Sequence, residues 1–391
     1  MGFFSDLLGI EKPKEQRTRA DMEDKLFVLT DERSGSTRKA QESEKQILKD
    51  VFDIIEEVPE TKKMLDDLAK MGYKFYFQKD TGIVDAENHS KEKLIMVNPT
   101  KYKNVANIAI DVVHEMTHAM QGKEYADMGN EFSGLNLADQ MKVHRAKEAG
   151  ACLEQSKFAM QILDKHPECS KYVQNDLMMS TYKSEMEKSG DKTKAAAECF
   201  KSWYAQKDGT NEAYDDLQVE LCIQDIDGTR NKNKILQQSI SAERIIQSSV
   251  YSPELKNAVP PEFIDSPEAN KLTLKAKERL DTVAKNCDKY YGAKDSSYKE
   301  MYSYDSGMKH KDQEKDTNLM SQLKAKQAEA DAQKKAAEPA KTETKQASAG
   351  ATLMGMLAGF AMDIAVDAAK KKVTDTVKSE VLKAVKGNGR S

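Results

Sequence analysis

The fold of this chain is decided by one stretch, residues 105–120, which reads Val-Ala-Asn-Ile-Ala-Ile-Asp-Val-Val-His-Glu-Met-Thr-His-Ala-Met. Drawn as a helix, the segment is apolar nearly all round, which is typical of a buried helix. The polar residues are the exception, because they fall within one arc of roughly 100° and form a stripe along the helix. The stripe consists of Asn107, Asp111, His114, Glu115 and His118. Since buried polar groups require partners, this stripe marks a candidate site.

A metal ion is the partner that the stripe suggests. His114 and His118 lie four residues apart, so both imidazoles can bind one tetrahedral ion, while Glu115 lies beside them without taking a coordination position. This His-Glu-x-x-His spacing would arise by chance roughly 0.015 times in a chain with six histidines among 391 residues. The pattern predicts one Zn²⁺ ion with Glu115 as the general base. The alternative is a histidine pair that completes a polar network or lies on the surface.

A short apolar strand is predicted one connection upstream of this helix, and its residues are Leu94, Ile95, Met96 and Val97. With that strand, the helix resembles the zincin superfamily of metallopeptidases over residues 73–155. The resemblance implies that the strand binds substrate along its edge. The metzincin branch requires Gly at 121 and His or Asp at 124, where this chain has Gln121 and Glu124. The gluzincin branch fits better, and it implies a third ligand, a glutamate from a second helix downstream.

Glu148 is the favoured third zinc ligand, because the small residues Ala149, Gly150 and Ala151 follow it. Small side chains allow two helices to approach closely, and a carboxylate ligand must come within about 2.0–2.2 Å of zinc. Three other residues remain as alternatives for this position, namely His144, Glu131 and Asp139.

Other polar residues have less definite roles. Asp111 is expected to accept a hydrogen bond from a ligand imidazole, or else to be an ordinary acid on the helix. A donor for the substrate oxyanion is required in principle, and His144, Arg145 or a tyrosine such as Tyr214 are the candidates. Tyr214 follows an aromatic segment, 195–204, that weakly resembles an uncharacterised bacterial family of metallopeptidases.

The chain as a whole is predicted to be α+β and mostly helical, with a small sheet packed on the active-site helix and a helical part after it. We expect a flexible leader at 1–38 and the metallopeptidase domain at 39–290. A polar, low-complexity linker should follow at 291–348, because its composition cannot bury a core. The last segment, 349–391, should form a tail helix that is first apolar and then basic and amphipathic.

Composition and charge limit the function classes and partners. Sixty-one Lys and Arg against 65 Asp and Glu give a net charge of -4, so nucleic acid is not an expected partner. Five widely spaced cysteines without a Cys-x-x-Cys pair favour reduced thiols and a cytoplasmic location, although leaderless export would leave no signal in the sequence. The tail at 349–391 is expected to contact a membrane surface or a partner, or to fold back onto the catalytic domain.

Two hypotheses of different class follow for the function. The first is a zinc-dependent metallopeptidase that acts on a protein or peptide substrate, with Glu115 activating the water. The second is an adaptor that binds a membrane or partner through its tail and carries only a structural or vestigial metal site. A zinc hydrolase of non-peptide amides would use the same residues as the peptidase.

Overall fold

The computed structural model describes residues 13–31, 36–78, 85–127, 132–206, 210–229 and 232–304. The described strands are β1 (Phe27–Asp31), β2 (Ser36–Lys39), β3 (Lys74–Gln78), β4 (Ala86–His89), β5 (Leu94–Val97), β6 (Lys271–Thr273) and β7 (Tyr302–Tyr304). The described α-helices are α1 (Arg19–Asp24), α2 (Glu42–Ile55), α3 (Pro59–Met71), α4 (Val105–Asp127), α5 (Leu137–Ile162), α6 (Ser170–Asn175), α7 (Leu177–Ser189), α8 (Lys192–Tyr204), α9 (Thr210–Gly228), α10 (Ala242–Ser249) and α11 (Leu274–Tyr291). The fold is therefore α+β and mostly helical, as the sequence predicts.

The chain divides into two compact units. The first contains the described residues within 1–130, 142–207 and 241–269, and it holds the larger sheet and the helix that carries the His-Glu-x-x-His motif. The second contains those within 131–141, 208–240 and 270–391, and its core is formed by α9, α11 and the short parallel pair of β6 and β7.

The larger sheet has five strands in the order β2, β1, β3, β5, β4. Its three central strands are mutually parallel, whereas β2 and β4 pair antiparallel at the two edges. Alternate residues of the central strands are buried, as expected where one face of a sheet meets helices. Phe75 and Phe77 of β3 and Ile95 and Val97 of β5 enter one core with α2, α3 and α4.

The expected substrate edge at Leu94, Ile95, Met96 and Val97 is wrong, because this strand is interior. It pairs with β3 on one side and with β4 on the other, so β4 forms this edge of the sheet. The sequence of β4, Ala-Glu-Asn-His, is polar and lacks the apolar alternation of a typical strand. Polar and charged side chains suit an edge strand, although their pattern in the sequence is that of a loop.

Two expected domain boundaries also need correction. The predicted leader at 1–38 contains β1 and β2, and the buried residues Leu26 and Val28 anchor this region in the core of the sheet. The predicted linker begins too early at 291, since β7 pairs with β6 and Tyr298 is buried in the second unit. The remainder of that linker, from 305, and the tail at 349–391 lie outside the described residues.

Membrane spans were sought among the described helices, and none of them has both the length and the apolar character that a bilayer crossing requires.

Candidate metal centre

Three side chains from two helices meet in the first unit. His114 and His118 come from α4 and Glu148 comes from α5. The two imidazole Nε2 atoms are 3.0 Å apart, and the Glu148 Oε2 atom lies 3.7 Å from that of His114 and 3.4 Å from that of His118. Within the part of the chain that the structure describes, these residues form the only group of three or more His, Cys, Asp or Glu side chains close enough to hold a metal ion.

The orientation of His118 is set by Gln121, one turn further along α4. The Gln121 amide nitrogen donates hydrogen bonds to the backbone carbonyls of Lys147, at 2.9 Å, and of Ser249, at 2.6 Å. Since both amide hydrogens are then used on acceptors, the amide oxygen must be the atom that faces His118 Nδ1, at 2.9 Å. His118 Nδ1 therefore carries the proton, and in the neutral ring Nε2 presents a lone pair to the site.

A second glutamine orients His114 in the same way. Gln155, on α5, donates from its amide nitrogen to Asp111 Oδ1 at 2.6 Å, and its oxygen faces His114 Nδ1 at 3.2 Å. Asp111 also accepts hydrogen bonds from the hydroxyls of Tyr102, at 2.8 Å, and Tyr172, at 2.6 Å. Because an ionised carboxylate only accepts, Gln155 must turn its NH₂ group toward Asp111 and its oxygen toward His114. His114 Nδ1 is thus the protonated nitrogen.

Taken together, these contacts bring three acceptors to one point. When both imidazoles are neutral, they present Nε2 lone pairs, and a carboxylate oxygen lies within 4 Å of both. Acceptors that converge without a donor repel one another unless a cation lies between them. Two His and one carboxylate form a donor set that suits Zn²⁺ with a position left for water. The residues present therefore fit the predicted metal.

The electrostatics of the site favour positive charge at its centre. Burial raises the pKa of the Glu148 carboxyl, but the charge of His118 and hydrogen bonds with both imidazoles outweigh burial and hold the pKa well below its usual range. Burial lowers the pKa of His114, but Cys152, Glu148 and Glu115 outweigh it, so this pKa lies well above its usual value. Surroundings that stabilise an extra proton on His114 also stabilise a metal cation.

The proposed general base differs from the other polar groups of the site. Glu115 is partly buried, and no hydrogen bond or ion pair joins its carboxylate to any of the described residues. Three other residues of the stripe, Asp111, His114 and His118, by contrast have glutamine or tyrosine partners. A carboxylate left without such partners keeps its lone pairs for a water molecule or a substrate.

Two of the three alternative third ligands, Asp139 and His144, are among the described residues, and neither belongs to the metal-binding group. Asp139 accepts hydrogen bonds from the side chain of Asn136 and the backbone of Ile240, all in the second unit. His144 is buried on α5, one turn before Glu148, and is not a member of the metal-binding group. Glu131 lies outside the described residues. Glu148 is the residue that α5 brings to the two histidines.

Two of the candidate oxyanion donors, Arg145 and Tyr214, lie on α5 and α9. Arg145 is almost fully buried, donates a hydrogen bond to the carbonyl of Ala269 at 3.0 Å, and lies with its guanidinium carbon 5.9 Å from the ring centre of Tyr204. Tyr214 belongs to the second unit, on α9. The aromatic residues of 195–204, Phe200, Trp203 and Tyr204, are buried.

Gly150, one of the small residues after Glu148, lies against both the end of α10 and the motif helix α4. A Cβ atom on Gly150 would lie 2.1 Å from the backbone oxygen of Ser249 and 3.3 Å from the amide nitrogen of Gln121. The glycine therefore makes room for a carbonyl at the end of α10. On α4, a Cβ on Gly122 would lie 3.1 Å from the Ser90 hydroxyl at the end of β4, so the edge strand runs close to the motif helix.

Sequence analysis missed the groups that orient the ligands. Gln121, Gln155, Tyr102 and Tyr172 come from four elements or connections, and only Gln121 adjoins the motif. Gln155 lies seven residues after Glu148, which places both on one face of α5, and this spacing was the available signal. Asp111 was expected to accept a hydrogen bond from a ligand imidazole. It accepts one from the Gln155 amide instead, and the oxygen of that amide faces His114.

Comparisons of the whole chain with protein-family models, with curated proteins and with solved structures gave no match.

Proposed function

We propose that this protein is a zinc-dependent metallopeptidase. The observation that carries the proposal is the convergence of three acceptors, His114 Nε2, His118 Nε2 and Glu148 Oε2, with both histidine tautomers set by glutamines. A structural zinc site has four protein ligands, whereas a catalytic site has three and an open position. Three candidate ligands beside Glu115, whose carboxylate binds none of the described residues, favour catalysis over the structural or vestigial site of an adaptor.

The chemistry assigns a separate task to each residue. When bound, Zn²⁺ would lower the pKa of a water molecule toward about 7 and polarise a carbonyl oxygen. Glu115 would accept a proton from the attacking water at its carboxylate as the new C–O bond forms. The protonated Glu115 would then pass this proton to the leaving nitrogen when the C–N bond breaks, which restores the carboxylate.

Substrate binding is proposed along β4 rather than along β5. Among the described residues no strand pairs with the outer edge of β4, so its backbone N–H and C=O groups can bind an extended peptide as an added strand. Such pairing recognises the main chain of the substrate. It supports a peptide over a small non-peptide amide, which could not form a ladder.

Glu115→Gln tests the reaction because it removes the base and keeps the shape of the side chain. Purified protein should bind close to one zinc per chain by elemental analysis, and it should cleave members of a mixed peptide library followed by mass spectrometry. The variant should retain zinc and lose cleavage by 10²-fold or more. Equal cleavage by both proteins, or a wild-type protein that takes up no zinc after reconstitution, would refute the proposal.

A cytoplasmic location is proposed on the cysteines alone. All five are buried free thiols, which suits a reducing compartment. Contact of residues 349–391 with a membrane surface or a partner is kept as a proposal.

A further inference from the structure

A short segment that starts at the last residue of α10, residues 249–256, is tied to α5 at three positions on one face of that helix. We call this segment the brace. The Ser249 carbonyl lies against Gly150, where a Cβ would be 2.1 Å away. One turn further, Glu154 accepts hydrogen bonds from both the backbone N–H and the hydroxyl of Ser252, each at 2.6 Å. Lys157 donates to the Ser252 hydroxyl at 3.0 Å and also binds Glu254 in the brace.

The brace is also tied to α4, the helix that carries the two histidines. The Ser249 carbonyl accepts a hydrogen bond from Gln121 at 2.6 Å, and Lys256 forms an ion pair with Glu124 at 3.3 Å. The same carbonyl therefore contacts both ligand-bearing helices. Ser249 and Ser252 are almost completely buried, so these contacts between the brace and the two helices lie inside the first unit.

One hydrogen bond connects the brace to the ligand set. The Gln121 amide has two hydrogens, and its partners are the carbonyls of Lys147 and Ser249. If the Ser249 carbonyl moved away, one hydrogen would lose its acceptor, and the amide could rotate by 180° to present NH₂ to His118. His118 Nδ1 would then have to accept, which moves the ring proton to Nε2. A ring protonated at Nε2 cannot bind a metal through that nitrogen.

We propose that the brace is a positioning element of the metal centre: the Ser249 carbonyl, seated against Gly150, holds Gln121 in the one orientation that leaves Nε2 of His118 available to a metal ion. The inference rests on the proposed metal site. It assigns a role to Gly150 that no other residue type can fulfil, because any side chain would displace the carbonyl that Gln121 requires.

The test compares zinc affinities, measured by competition with a chromophoric chelator, for wild type, Gly150→Ala, Gln121→Ala and the double variant. Loss of a group that orients a ligand lowers metal affinity about 10- to 100-fold, and each single variant should show this loss. If the brace acts through Gln121, the double variant should bind zinc no more than about threefold more weakly than the weaker single variant.

Gly190→Ala is the matched control for a general loss of stability. Gly190 has a φ of +64° and open space around it, so alanine strains the backbone far from the brace in sequence without a clash. Its zinc affinity should stay within twofold of wild type. If Gly150→Ala does not fold by circular dichroism, Ser252→Ala replaces it. This change removes the hydroxyl that binds both Glu154 and Lys157, which weakens the attachment of the brace to α5 and should lower zinc affinity in the same direction.

The outcomes separate the brace from the metallopeptidase proposal. The role of the brace is overturned if Gly150→Ala, or Ser252→Ala where it replaces that variant, binds zinc as tightly as wild type. It is also overturned if the losses of zinc affinity in the two single variants multiply in the double variant. A wild-type protein that binds no zinc refutes the proposed function instead. Nitrogen NMR of the histidines in metal-free protein then still tests the brace, since His118 should carry its proton on Nδ1 in wild type and lose this preference in Gly150→Ala.

Discussion

Replacing Gln155 by leucine tests the hydrogen-bonded chain that runs from Asp111 to His114. The change removes an uncharged hydrogen bond of 3.2 Å to the imidazole and a charge-assisted one of 2.6 Å to the carboxylate. Bonds of these two kinds contribute about 0.5–1.5 and about 1.5–3 kcal/mol, so the free energy of unfolding should fall by about 2–4.5 kcal/mol. Without the acceptor at Nδ1, the His114 proton can move to Nε2, and zinc affinity should fall about 10- to 100-fold.

The assay for Gln155→Leu is chelator competition for zinc, with urea denaturation of the metal-free protein beside it. Gln140→Leu is the control, since Gln140 is also buried on α5 and donates to the Leu135 carbonyl in the second unit. It should lose stability with zinc affinity unchanged. A Gln155→Leu protein that binds zinc within twofold of wild type would refute the argument that the Asp111 and Gln155 chain prepares His114 as a ligand.

Three further predictions concern the ligands, the pH dependence and a buried cation. Glu148→Ala should abolish stoichiometric zinc binding in elemental analysis, and His144→Ala should retain it; the opposite pattern would refute the ligand assignment. Burial raises the pKa of Asp111 to about 6, although the hydrogen bonds from Tyr172 and Tyr102 act to lower it. The native protein therefore takes up a proton between pH 7 and 5, whereas the unfolded chain takes up the same proton near pH 4. The free energy of unfolding of the metal-free protein, from chemical denaturation, should therefore contain a contribution that rises as pH falls from 7 to 5, and this contribution should be missing in Asp111→Asn. Arg145→Met should lower the melting temperature, because the Ala269 carbonyl loses a buried donor, and leave zinc affinity unchanged; a loss of affinity would place Arg145 at the site after all.

The motif helix and its ligands illustrate how far local pattern carries. The periodicity of 105–120 predicts a buried helix with one polar stripe, and α4 is that helix, with Val112, Val113 and Met116 in the core. Spacing of four residues brings His114 and His118 to the same side whatever surrounds them, because the helix geometry alone dictates it. The choice of Glu148 came from a resemblance and from the small residues after it, and the structure brings its carboxylate to both imidazoles.

The edge of the sheet illustrates where local pattern stops. Leu94–Val97 has the composition of a strand, but composition does not say whether a strand lies inside a sheet or at its edge. That depends on β4, a strand whose polar side chains resemble those of a loop and whose backbone hydrogen bonds exist only in the pairing with β5. The leader was misjudged for the same reason, since β1 is held by its pairing with β3, almost fifty residues later.

By itself the sequence determined the fold class, the motif helix and the side-chain types of the three candidate ligands, because helical spacing and side-chain type are local properties. Only the tertiary structure decided which nitrogen of each histidine is exposed to the site. That choice depends on Gln121 and Gln155, and their orientations depend on a carbonyl at Ser249 and a carboxylate at Asp111. A hydrogen bond has a direction, and each side chain has a fixed number of donors. The tautomers therefore follow from which groups the folded chain brings together, and the order of residues alone does not reveal that arrangement.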